Sequence, residues 1–111
     1  MPFTLHAGAG AGRGYLLLGS ASGTVPGTPF EGTTLPLNRD AFFLLSRQQR
    51  NTSTFSHTLG QFDPNGRAEA SFEPPPGFLS PWAGGHIDWA ALVFGGGQTS
   101  VVGPVGLDVL P

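Results

Sequence analysis

Three histidines, His6, His57 and His86, are the nitrogen donors from which a metal site would have to be built. Zinc or copper needs three or four His, Cys or carboxylate donors converging at about 2 Å. No H-x-H or H-x₃-H spacing brings two of these histidines together, and His57 shares a strand face with Phe55 and Leu59, as a packed histidine would. The run His86-Ile87-Asp88 puts His86 and Asp88 on one face of a strand, where they pair with each other or meet a ligand together. Trp82, in Ser80-Pro81-Trp82-Ala83-Gly84-Gly85, stands in a loop setting. Its flat ring would suit stacking on the apolar face of a sugar while His86 and Asp88 bond the hydroxyls. The same ring could plug one end of the fold or meet another subunit. Trp82, His86 and Asp88 are therefore the candidate ligand-binding set; no metal or other cofactor is implied.

Catalytic patterns are thin. Glu69 and Glu73 share a face only if their strand continues through Glu73, and a glycosidase needs two carboxyls held about 5–10 Å apart across a cleft. No G-x-S-x-G elbow occurs, and Gly19-Ser20-Ala21-Ser22-Gly23 comes with no base beside it. Gly8 to Gly14 has a G-x-G-x-x-G-like spacing by composition, without the strand, turn and helix that would cradle a phosphate. Asp63-Pro64-Asn65-Gly66 offers oxygen ligands but lacks the spacing of a calcium loop, and a turn explains it. These residues favour a non-catalytic role over an enzyme.

With 111 residues the chain makes one domain, its first 13 residues a Gly/Ala-rich leader or a first edge strand. Gly 18 and Pro 11 would suit a disordered tail, but 39% hydrophobic residues and nine phenylalanines indicate a folded, loop-rich unit. Charged residues make up 11%, against about a quarter in ordinary domains, and there is no lysine. A net charge of −2 argues against a nucleic-acid binder, which would need a basic surface. Without cysteine, neither disulfides nor thiolate zinc sites can form. The apolar run Tyr15 to Leu18 is far too short to span a membrane. Met1 to His6 has neither the basic start nor the apolar run of a signal peptide. So few charges leave sheet edges with few gatekeepers, so loops, prolines or a second copy of the chain must cover them. A homo-oligomer is thus open.

Gly14-Tyr15-Leu16-Leu17-Leu18-Gly19 reads as a central strand, and Phe3 and Leu5 alternate with Thr4 and His6. Phe55 to Leu59 and Ala68 to Phe72 read as two strands joined by the Pro64-Asn65-Gly66 turn, a β-hairpin. Ile87, Trp89, Ala91 and Val93 alternate, and Thr99–Val102 and Val105–Leu110 supply two final strands. Ala41 to Leu45 is open to two readings, a short helix capped from Asn38-Arg39-Asp40 or a buried strand. The stretch Ser20 to Pro29 is a functional loop or a long crossing, and Pro74-Pro75-Pro76-Gly77 a rigid passage between sheets. The expected fold is all-β, an antiparallel β-sandwich of seven to eight short strands, immunoglobulin-like or jelly-roll. Its expected core is Tyr15, Leu17, Phe42, Leu44, Phe55, Leu59, Phe72, Ile87, Trp89, Val105 and Leu107.

Several segments carry a resemblance. They are Tyr15 to Thr24, Pro26-Gly27-Thr28-Pro29, Leu35-Pro36-Leu37-Asn38 followed by Asp40, Thr58-Leu59-Gly60, Gly66-Arg67-Ala68 with Ala70-Ser71-Phe72, and Gly103-Pro104-Val105 with Leu107. Together they resemble a C-terminal β-sandwich module found at the ends of large secreted bacterial proteins, mostly of unassigned function. The module's usual His-His-Ala-Tyr-like strand stands here as His86-Ile87-Asp88-Trp89. The resemblance implies an extracellular or cell-surface location and a non-catalytic accessory role in binding or assembly, with no catalytic residues. The alternative is a carbohydrate-active unit, either a sugar-binding module or a small metal-dependent enzyme acting on polysaccharide. A polysaccharide or another protein is the expected partner.

Overall fold

The computed structural model describes residues 1–6, 12–30, 32–95 and 98–108, with the backbone alone described at 98, 104, 105, 107 and 108. In chain order the elements are β1 (Pro2–His6), β2 (Gly14–Ser20), β3 (Thr28–Phe30), β4 (Thr33–Leu35), α1 (Ala41–Gln48), β5 (Phe55–Ser56), β6 (Leu59–Gln61), β7 (Arg67–Phe72), a 3₁₀ turn (Ser80–Trp82), β8 (His86–Gly95) and β9 (Gln98–Asp108). They form an antiparallel β-sandwich. One sheet has the order β1-β7-β5 and the other β6-β2-β8-β9, while β3 and β4 make a separate two-stranded ribbon.

Between the sheets lies an aromatic core. Tyr15 and Leu17 of β2 and Ile87, Trp89, Ala91 and Val93 of β8 meet Leu5, Phe55, Ala68, Ala70 and Phe72 of the opposite sheet, with Phe42 of α1. Phe42 is fully buried and lies edge-on to Phe72, Trp82 and Trp89 at centroid distances of 5.9, 5.1 and 5.6 Å. Such T-shaped pairs set the positive ring edge against a negative face and contribute about 0.5–1.5 kcal/mol each beyond area burial. Gly19 is required by this packing, because a Cβ there would stand 2.6 Å from Phe42 Cε1. The buried Trp89 indole N–H has no hydrogen-bond partner among the described residues, and the surrounding rings give it only weak π acceptors.

Strand alternation gives the four-stranded sheet a second apolar face. Leu18, Ala90 and Leu92 form a smaller cluster there with Leu35, Leu37 and Phe43. The sheet is thus covered twice, by the three-stranded sheet on one side and by the β3–β4 ribbon with α1 on the other. That explains why β2 and β8 are almost continuously apolar.

The stretch from Ala41 is a helix, capped by the Asp40 carboxylate, which accepts from Phe43 N at 2.8 Å. Its period sends Phe42 into the inner core and Phe43 into the outer cluster, and leaves Leu44 40% exposed, contrary to the expected burial of Leu44. Ser46, fully buried, donates to Phe43 O and accepts from Gly19 N at 3.2 Å, fastening the helix to β2.

Other sequence expectations are corrected. Phe55 to Leu59 is not one strand: His57 takes a left-handed φ of 53°, is exposed, and separates β5 from β6. The Pro64-Asn65-Gly66 turn forms, with Gly66 at φ 74° and Asp63 Oδ1 accepting from Asn65 N and Arg67 N, both at 2.9 Å. Yet it joins β6 of one sheet to β7 of the other, so it is a corner between sheets and not a hairpin turn. The cause is non-local: Tyr15 and Leu16 pair with Gly60 and Leu59, drawing β6 away from β7. Leu59 is consequently half-buried. The two expected closing strands are one, β9, with a register irregularity opposite Trp89 to Ala91; the side chains of Val105 and Leu107 lie outside the described residues. Glu73 lies beyond the end of β7, where Ser71 Oγ and the terminal ammonium donate to its carboxylate. Residues 2–6 are an edge strand, and 7–11 lie outside the description. The Pro74–Gly77 stretch does lead from one sheet to the other.

Candidate functional site

The loop between β2 and β3 is held by one side chain. Asn38 Nδ2 donates to Ser22 O and Val25 O, both at 2.9 Å, while Asn38 Oδ1 accepts from Gly27 N at 2.9 Å. Its backbone N–H donates to Gly23 O. Two residues on, Asp40 Oδ2 accepts from Ala21 N at 2.9 Å and from Ser20 Oγ at 3.3 Å, while Oδ1 caps the helix. Asn38 and Asp40 thus fix the ribbon and the helix against the end of β2.

Between ribbon, helix and sheet remains a groove of about 290 Å³. Leu16 and Leu18 of β2 and Leu92 of β8 form its floor, Pro29, Phe30 and Leu35 one wall, and Phe43 the other. Arg39 and Arg47 also line it, and neither guanidinium makes a hydrogen bond or ion pair among the described residues. Phe30 is 42% exposed at this groove. An apolar cleft with a few polar groups at fixed positions is the usual form of a small-molecule site. The sequence reading missed it, because the site exists only once the ribbon has folded over the outer face. One signal was present: Phe43 and Arg47 stand four residues apart, the spacing of a shared helix face, with Arg39 just ahead of the helix cap.

The structure places the sequence-derived candidates as follows. Trp82 is half-buried in the 3₁₀ turn, its ring edge-on to Phe42 at 5.1 Å and tilted on Phe78 at 6.3 Å. His86 Nε2 and Asp88 Oδ1 are 3.0 Å apart, the histidine half-exposed and the aspartate mostly covered. Gly106, opposite Asp88 on β9, leaves room for this contact, since a Cβ there would come within 2.6 Å of the imidazole. Alternation along β8 sets His86 and Asp88 on the face opposite Ile87 and Trp89, on whose side Trp82 packs. The pair and the tryptophan therefore do not share a face. His6 lies at the end of β1, His57 bonds Ser56 Oγ through Nδ1, and among the described residues no three His, Asp or Glu side chains gather as metal ligands. No helix among the described residues is long and apolar enough to cross a membrane. Comparison with protein-family models, with curated proteins and with solved structures finds no match to this chain.

Proposed function

We propose that this chain is a non-catalytic binding module, and that its ligand occupies the groove between the β3–β4 ribbon, α1 and the outer face of the four-stranded sheet. The observation that carries the reading is the groove itself: an apolar floor of Leu16, Leu18 and Leu92, closed by two separately anchored walls. The hydrogen bonds of Asn38 and Asp40 fix those walls before any ligand arrives, so little ordering opposes binding. Trp82 packs against Phe42 and Phe78, which favours the end of the core over a sugar platform for this ring.

The test is fluorescence titration with N-phenyl-1-naphthylamine, a neutral apolar probe. Saturable binding to the folded protein is expected, weakened several-fold by Phe30→Ala, which alters an exposed wall residue without touching the core. Absence of saturable binding by folded protein would sink the reading.

A further inference from the structure

Resting on that binding reading, we infer that the groove takes a single-chain amphiphile with a carboxylate head, its tail on the Leu16–Leu18–Leu92 floor and its head between Arg39 and Arg47.

The charge distribution leads to the head group. The whole chain has five cationic side chains and no lysine, and two of the five line this one apolar groove. Neither is engaged elsewhere among the described residues, whereas Arg67 pairs with Glu69 and Arg50 bonds Arg47 O. Guanidinium forks match the planar carboxylate in geometry and charge, and they work best beside apolar surface that excludes water. Arg47 stands in the last turn of α1 and Arg39 next to its cap residue, so the fastenings of that helix at Asp40 and Ser46 hold the backbone of both in place.

Volume leads to the tail. About 290 Å³ is the share of roughly ten liquid waters. A methylene is close to a water in size, so a saturated chain of about eight to ten carbons fills the space. Leu16, Leu18, Pro29, Phe30, Leu35 and Leu92 present no charge to such a chain. A free monomer is favoured over a membrane surface because the floor is walled on two sides by the ribbon and the helix.

Displacement of N-phenyl-1-naphthylamine by decanoate, decanol and decylammonium, each as monomer, tests the inference. Decanoate should displace the probe at a concentration about tenfold or more below that of decanol, with decylammonium weakest, since charge-assisted hydrogen bonds form only with the first. The double variant Arg39→Gln/Arg47→Gln should bring decanoate to the level of decanol and leave decanol unchanged. Both arginines are exposed and without a hydrogen bond or ion pair among the described residues, so folding should survive; a salt series on the parent protein gives a second measure, with decanoate alone weakening as salt rises. Equal displacement by decanoate and decanol, or a decanoate advantage that persists in the double variant, would overturn the carboxylate assignment while leaving the binding module standing. Probe binding that fails altogether would remove the module reading and this inference with it.

Discussion

Replacing Asp40 by alanine should cost about 3 kcal/mol of folding stability, and the figure can be built from three contacts. Oδ1 accepts from Phe43 N at 2.8 Å, the helix N-cap bond, whose loss costs about 1 kcal/mol. Oδ2 accepts from Ala21 N at 2.9 Å, and a covered N–H left without an acceptor costs about 1–3 kcal/mol. The third contact, from Ser20 Oγ at 3.3 Å, adds little because that hydroxyl also donates to Asn38 O at 2.7 Å. Against a total of about 5–15 kcal/mol for an ordinary domain the effect is large. Urea unfolding followed by tryptophan fluorescence and far-ultraviolet circular dichroism measures it, with the slope unchanged. Asp40→Ser restores a good cap but lacks the second oxygen, so it should recover about 1 kcal/mol of the loss and no more. Both variants should also weaken probe binding, since Phe43 and Arg47 reach the groove from this helix. An alanine variant within about 0.5 kcal/mol of the parent would refute the account, as that is the ordinary scatter of surface substitutions. A serine variant as unstable as the alanine variant would show that the cap contributes nothing.

Trp82→Ala should lower stability by about 2–3 kcal/mol, less than for a fully buried tryptophan but including its edge-on pair with Phe42. Binding of the groove probe should be unchanged; a fully stable variant would refute the reading of this ring as part of the core. Tyr15 is the only tyrosine, so tyrosinate absorbance reports it alone. Burial pushes its hydroxyl, which donates to His57 O at 2.7 Å, above the ordinary value of 10.0. Below that value both folded and unfolded chains are protonated and stability is full. As pH rises further the unfolded chain ionises first, so stability falls until the raised folded-state pKa is passed. Ionisation of the folded protein at the ordinary value would contradict this, as would stability unaltered through that window.

What was legible in the sequence was whatever local chemistry decides. Glycines bounding Tyr15 to Leu18 marked β2, the Asp63 to Gly66 turn has the conformation its residues imply, and the alternation of Ile87, Trp89, Ala91 and Val93 identified β8 with its core face. The expected sandwich follows from these short, turn-bounded strands. The helix-or-strand question at Ala41 could not be closed from composition, because Phe42 to Leu45 is apolar under either period; the Asp40 cap and the fully buried Ser46 bond to Gly19 decide it in three dimensions. Pairing partners were further out of reach. Nothing within Phe55 to Phe72 says that Gly60 belongs beside Tyr15, and that single long-range pairing turns an apparent hairpin into a corner between sheets. The site fails to show for the same reason. Trp82, His86 and Asp88 are neighbours in sequence, yet alternation along β8 divides them between two faces. Arg39 and Leu92 are 53 positions apart and line one groove because the ribbon is folded across the sheet. A site built from long-range contacts leaves only a trace in the chain, and here that trace is the four-residue spacing of Phe43 and Arg47, which has meaning only once the helix is established.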